Sequence, residues 1–175
     1  MSEPNLLEHA KPDLFNTPLE AGLRAVILLD AFAPDAFDLT SLSLLDYYAV
    51  HTGDLNVEDV RTSPDADQPS SIHPPIASRR GEYFVRRHLI EEGLEIMERA
   101  FLLDRVADEN GLSYRARDVT AAMVDLMESE YNSQLRRAAR WLSHVAEVEG
   151  RDAFIQRLSS GVNRWSHEID GAVRV

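Results

Sequence analysis

The sequence predicts a mainly α-helical protein with one small β-hairpin, arranged as a winged helix-turn-helix-like domain with a C-terminal helical extension. Three observations carry that prediction. Apolar residues recur at three- and four-residue steps in six separate segments, the periodicity of helices with one buried face. Asn110-Gly111 parts two short apolar arms, and Asn-Gly is a strong hairpin turn because both residues tolerate positive φ. The order helix, helix, helix, hairpin is that of a winged helix, with more helix following the wing. The division expected is an arm over 1–16, a winged-helix-like domain over 17–117 holding a long inserted loop at 54–77, and a helical extension over 118–175.

Thr17-Pro18-Leu19-Glu20 starts the first helix: a capping hydroxyl, proline at the first helical position and glutamate where a capping box needs it. Leu14-Phe15-Asn16 is expected to staple the arm onto that turn. Pro34 ends the helix near Phe32. Asp38 or Thr40 caps a second helix from about Ser41 to Thr52, with Leu42, Leu45, Tyr48 and Ala49 facing in, Leu44 and Tyr47 beside them, and Gly53 as its stop. Asp54 to Ala77 holds four prolines; Thr62 to Ser71 is expected to be disordered and Ile72 to Ile76 to form an extended arm.

Ser78 to Phe101 is the longest helix expected, capped by Ser78, with Tyr83, Ile90, Leu94, Met97 and Phe101 as its buried stripe and Phe84, Leu89 and Ile96 widening it. Its arginines (Arg79, Arg80, Arg86, Arg87) crowd the first half and its glutamates (Glu91, Glu92, Glu95, Glu98) the second. That order opposes the helix dipole, which favours acids early and bases late. Leu102–Ala107 and Leu112–Ala116 form the hairpin arms, whose poor alternation leaves the register open. Asp118 caps a short helix, Ser129-Glu130 opens one that runs to Glu149 before Gly150, and Arg151 to Glu168 is the last.

The chain carries 18 basic and 30 acidic side chains, a net charge of −12. Three basic against thirteen acidic groups up to Ser78 give that stretch −10, while 79–140 and 141–175 carry −1 each. Phosphate binding needs a concentrated basic surface, so a nucleic-acid role would fall to the middle segment alone. Absence of cysteine removes thiol catalysis, disulfides and thiolate metal sites. No apolar run approaches 18 residues and no signal peptide is recognisable, which points to the cytoplasm and to no membrane role.

Candidate sites are few. Arg79, Arg80, Arg86 and Arg87, with Tyr83, are singled out as contacts for a partner or for DNA; internal pairing with the acidic N-terminal helices is the alternative. His88 with Glu91 and Glu92 has chelate spacing, but salt-bridging is the simpler reading. Asp104, Asp108 and Glu109 offer carboxylates beside a turn, where solvated acids are ordinary. Tyr47-Tyr48 beside His51 could stack a base or ligand, although such pairs more often split, one ring in the core and one at its edge. His73-Pro74-Pro75 reads equally as a docking arm or a spacer, and Arg136, Arg137 and Arg140 as a solvated face. No phosphate loop, nucleophile elbow or zinc-protease helix occurs. No catalytic residue, metal ligand or cofactor site is therefore expected, and no small-molecule substrate.

Three stretches carry a family resemblance: Thr17-Pro-Leu-Glu-Ala-Gly-Leu-Arg-Ala25, Leu44-Leu-Asp-Tyr-Tyr-Ala-Val-His-Thr-Gly-Asp54, and His73-Pro-Pro with Arg79-Arg-Gly-Glu-Tyr-Phe-Val-Arg-Arg-His-Leu-Ile-Glu-Glu-Gly-Leu94. From about Leu14 to Trp141 the chain resembles the middle component of three-component ABC-ATPase systems. That resemblance implies a small bacterial accessory subunit between an SMC-like ABC ATPase and an effector such as a nuclease, in conflict systems related to Lamassu anti-phage defence. It also implies a winged helix comparable to the accessory subunits of bacterial condensins, meeting DNA only through the complex. The competing reading is a winged-helix transcription regulator. A small hydrolase would rest on the scattered carboxylates alone.

Overall fold

Six helices and three short strands share one hydrophobic core in the computed structural model, which describes residues 17–55, 67–75, 78–109 and 111–172. The staple at Leu14-Phe15-Asn16, residues 56–66 and 76–77 of the long loop, and Asn110 of the turn lie outside the described residues.

Helix α1 (Pro18–Ala31) begins with the expected capping box: Glu20 N donates to Thr17 Oγ1 and Thr17 N to Glu20 Oε2, so two orphan amides are satisfied at once. Strand β1 (Phe37–Asp38) follows, then α2 (Leu39–Val50), whose Ser41 amide donates to the Asp38 carboxylate at 2.7 Å. Helix α2 is buried on all sides over its last nine residues, wider than the single face expected. Every residue from Leu42 to Val50 is buried, because α1, α3, α5 and α6 all pack around it. It ends at Val50, ahead of Gly53, and a 3-10 turn over Thr52–Asp54 follows.

Helix α3 (Arg79–Arg99) is capped by Ser78, whose hydroxyl accepts from Gly81 N. It crosses α1 at Gly22 and Gly93, where backbone meets backbone: a Cβ built on Gly22 would lie 2.6 Å from Gly93 O. Two members of its expected stripe belong elsewhere. The helix stops before Phe101, which is 69% exposed with φ +60°, and Phe84 faces solvent. Strands β2 (Leu103–Asp108) and β3 (Gly111–Ala116) make the hairpin, in the register Val106↔Ser113 and Asp108↔Gly111. β1 adds to the far side of β3 (Phe37↔Tyr114), giving an antiparallel sheet of order β1-β3-β2. This order of elements is compatible with a winged helix.

Helix α4 (Thr120–Asp125) is short, as expected, but has no side-chain cap from Asp118; Thr120 Oγ1 instead ties it to Leu102 O. Helix α5 (Glu130–Glu149, capped by Ser129) packs on α1 and α2, and α6 (Arg151–Ala172) packs on α5, α2 and α3. Leu135, Leu142, Phe154, Leu158 and Trp165 join the same core as Leu28 and Leu45. No helix among the described residues is long and apolar enough to cross a membrane.

Candidate functional site

The three motif stretches, far apart in sequence, deliver their charged residues to one place. Asp46, in the middle of apolar α2, has no exposed surface. Its Oδ1 accepts from Arg24 Nε of α1 at 2.6 Å and its Oδ2 from Arg86 Nη1 of α3 at 2.9 Å. Arg86 spends its other donors next door: Nε on Glu82 Oε1 at 2.7 Å, and Nη2 on His73 Nδ1 at 2.8 Å. Glu82 Oε1 also lies 3.0 Å from His51 Nε2, at the C-cap of α2. Arginine has no acceptor atom, so His73 Nδ1 accepts and its proton sits on Nε2, 3.5 Å from the Tyr131 hydroxyl of α5.

Two guanidiniums and two carboxylates thus balance inside the protein, which is what allows charges to be buried at all. Desolvation works against ionising Asp46, but Arg24 and Arg86 outweigh it and hold its carboxyl below the ordinary range. Burial likewise opposes the charge on Glu82, and the bonds from His51 and Arg86 bring its carboxyl below the ordinary range. His73 is pushed down to about 4, by burial first and then by the charge of Arg86. A second, smaller group extends the cluster: the Tyr47 hydroxyl donates to Asp54 at 2.7 Å, and Arg79 meets the same carboxylate at 3.1 Å.

The loop expected to be disordered is part of this site from residue 67 onward. Gln68 Nε2 donates to Thr52 O and Leu55 O, Thr52 Oγ1 donates to Pro69 O, and Gly53 N donates to Ser71 Oγ. Ile72 N and His73 N both donate to Val50 O. These bonds satisfy the end of α2 and set His73 against Arg86.

One ligand atom each from His51, His73 and Glu82 lies within 4.8 Å of the others, a donor set that suits a divalent cation by type and spacing. Arg86 already bonds two of the three, and a dication between them would sit in contact with a guanidinium. The geometry fits a guanidinium-centred ion pair, with Arg86 in the role a metal would take. Asp46 has no surface on which to meet a substrate, and a groove of about 620 Å³ lined by Phe37, Thr40, Arg151 and Gln156 lies apart from the cluster. What the arrangement can do is lock three helices and a loop together.

The five singled-out contact residues separate by depth. Arg86 and Tyr83 are buried, 2% and 5% exposed, so neither offers surface to a partner or to DNA while this fold stands. Arg79 is half-exposed in its pair with Asp54, and half-buried Arg87 donates to Thr40 Oγ1 at 2.8 Å. Arg80 is exposed, its guanidinium 5.6 Å from the Phe84 ring centre. His88 Nε2 lies 3.4 Å from Glu92 Oε1, one turn on along the exposed face of α3. Asp104 is tied to Arg115 and Arg117, and Arg136 to Asp125. Tyr47 and Tyr48 do not split: both are buried, against each other and Trp165.

Sequence reasoning missed Arg24, Asp46 and Glu82. A charge set within an apolar run, as Asp46 is between Leu45 and Tyr47, was the available signal. On the outward side, α3 shows Arg80, Phe84, Val85, His88, Glu91, Glu92 and Glu95, with Phe84 and Val85 each more than half exposed. A family model described as ABC-three component (ABC-3C) system Middle Component 2 matches residues 14–168. No curated protein and no solved structure matches the chain.

Proposed function

The chain belongs to the Middle Component 2 family of ABC-three component systems, a family of parts in multi-component ABC-ATPase machines, and from that membership we propose that it is a non-catalytic adaptor. In this reading it links an SMC-like ABC ATPase to an effector in a bacterial, cytoplasmic anti-phage or anti-plasmid defence complex of the Lamassu kind.

The observation that carries the proposal is the outward face of α3. If the fold is a winged helix, α3 is the helix such a domain presents. A DNA-reading helix needs bases and polar groups there; this one exposes Phe84 and Val85 and then three carboxylates, Glu91, Glu92 and Glu95. The wing adds no net basic charge, since over 103–117 Arg105, Arg115 and Arg117 are matched in number by Asp104, Asp108 and Glu109, and each of the three arginines already faces a carboxylate. Exposed aromatic and aliphatic groups ringed by charge suit protein contact. Arg79, Arg80 and Arg87 are the basic groups of α3's first half that remain near the surface for it.

Co-expression with the ATPase of the same system should give a complex that survives gel filtration. Free elution of both proteins at gentle salt overturns the adaptor. On duplex DNA the chain alone should show no anisotropy change at about 0.1 M salt, where basic readers bind readily; salt-sensitive binding lost in Arg80→Ala would favour the regulator instead.

A further inference from the structure

The outward stripe of α3 has a polarity that only certain partners match. Arg80, Phe84, His88 and Glu92 succeed one another at four-residue steps, with Glu91 and Glu95 beside the acidic end. Arg80 meets no carboxylate among the described residues and has only the Phe84 ring under it. On the opposite side of the same helix, Tyr83, Arg86 and Ile90 are buried, so the stripe sits on a rigid element. Nucleic acid would be repelled by the glutamates. A uniformly acidic or basic peptide would be repelled by one half or the other. A helix of reversed polarity satisfies both halves, and this chain supplies one.

We infer that the outward face of α3 binds a second copy of this chain, the two helices antiparallel about a two-fold axis at the level of Arg86. Residues equally distant from 86 then oppose each other. Phe84 meets His88 of the second copy, and Arg80 meets Glu92 of the second copy. Six residues of helix separate each ion pair from the axis, about 9 Å. Such a contact is isologous, so each interaction occurs twice. The surface pair of His88 with Glu92 within one chain is weak and is readily exchanged. Two chains of net charge −12 repel at long range, but at about 0.15 M salt that repulsion is screened beyond roughly 8 Å while the facing pairs remain in contact. One helix pair is a small contact beside the roughly 800 Å² per partner of a standard interface, so the dimer is expected to be weak and concentration-dependent.

The inference rests on reading this face as a protein contact and is independent of the ATPase. Sedimentation equilibrium of the full chain from about 1 to 300 µM should show a monomer–dimer equilibrium within the range of weak interfaces. Arg80→Glu and Glu92→Arg each place like charges opposite each other and should weaken it at least about tenfold. Mixing the two variants should restore wild-type affinity, because every reversed charge then faces its complement. Both positions are exposed, and far-UV circular dichroism confirms that the variants fold. A monomeric wild type throughout the range overturns the inference, as do single variants that dimerise normally or a mixture that stays monomeric. A dimer with no ATPase complex would overturn only the adaptor, and an ATPase complex built on a monomer only the dimer.

Discussion

Asp46 is the carboxylate that both buried arginines, Arg24 and Arg86, bond to. Asp46→Asn keeps the shape and removes the charge, leaving Arg24 and Arg86 to share a neutral amide in a site that excludes water. Breaking a buried pair from one side costs roughly 3–5 kcal/mol; urea denaturation should show a loss of that order. The cluster also predicts how stability responds to acid. Unfolded, His73 takes up a proton near 6.5; folded, it resists until about 4. Its contribution is therefore whole above pH 6.5 and drains away as pH falls toward 4, and the depressed carboxyls of Asp46 and Glu82 extend the loss below the ordinary carboxylate range. The urea midpoint should be flat from pH 7 to 8 and decline below pH 6.5, and His73→Asn should abolish the first part of that decline. Arg86 shows what the sequence offered at this scale. It stands three residues after Tyr83 and four before Ile90, inside the apolar stripe, so its burial was written in its position. Its resemblance to neighbouring Arg87 hid this, since charge alone argues for the surface and only a buried partner, Asp46, forty residues away, reverses the argument.

Among the elements, those with local signals were legible and those made by distant contact were not. The capping hydroxyls of Thr17 and Ser78 bond amides of the first turn as expected, and Ser129, at the expected opening of α5, does the same. Strand β1 is two residues long and exists because β3 offers it an edge, a condition that no run of residues near Phe37 encodes. Phe101 left its stripe because the chain turns at Ala100 into a left-handed residue before the hairpin. The α1–α3 crossing was hidden for the same reason as β1, since a glycine in a helix reads only as a weak helix former. In place, Gly93 is a contact surface: an added Cβ would lie 2.5 Å from Gly22 N and still nearer Pro18 O. Nothing at that point can rotate aside, because both neighbours are backbone. Gly93→Ala should separate α1 from α3 at the upper end of roughly 1–3 kcal/mol, or beyond, despite alanine's better helix propensity. A variant as stable as wild type in thermal melts would mean the helices do not cross this closely.

At the scale of the whole molecule, the question is whether the helical extension is a separate unit. Trp165 of α6 lies against Tyr47 and Tyr48 of α2, at ring distances of 4.9 and 6.2 Å, and a Cβ on Gly161 would collide with the Tyr48 hydroxyl. The most buried helix of the first part is therefore covered by the last helix of the chain. Two elements that share a core lose it together, which argues for one cooperative transition. The sequence provides its own probe, because both tryptophans, Trp141 and Trp165, belong to the extension while far-UV circular dichroism reports every helix. Fluorescence and dichroism should give coincident urea curves. Trp165→Ala should move the dichroism curve by a loss of about 3–5 kcal/mol, as for large aromatic deletions in a core. A fluorescence transition well below the dichroism transition would instead mean that α5 and α6 melt as their own domain. With Trp165 seated on α2 and Arg86 bonded to Asp46, α3 and α6 are both tied to α2, by packed rings on one side and a buried ion pair on the other, so loosening α2 should loosen both.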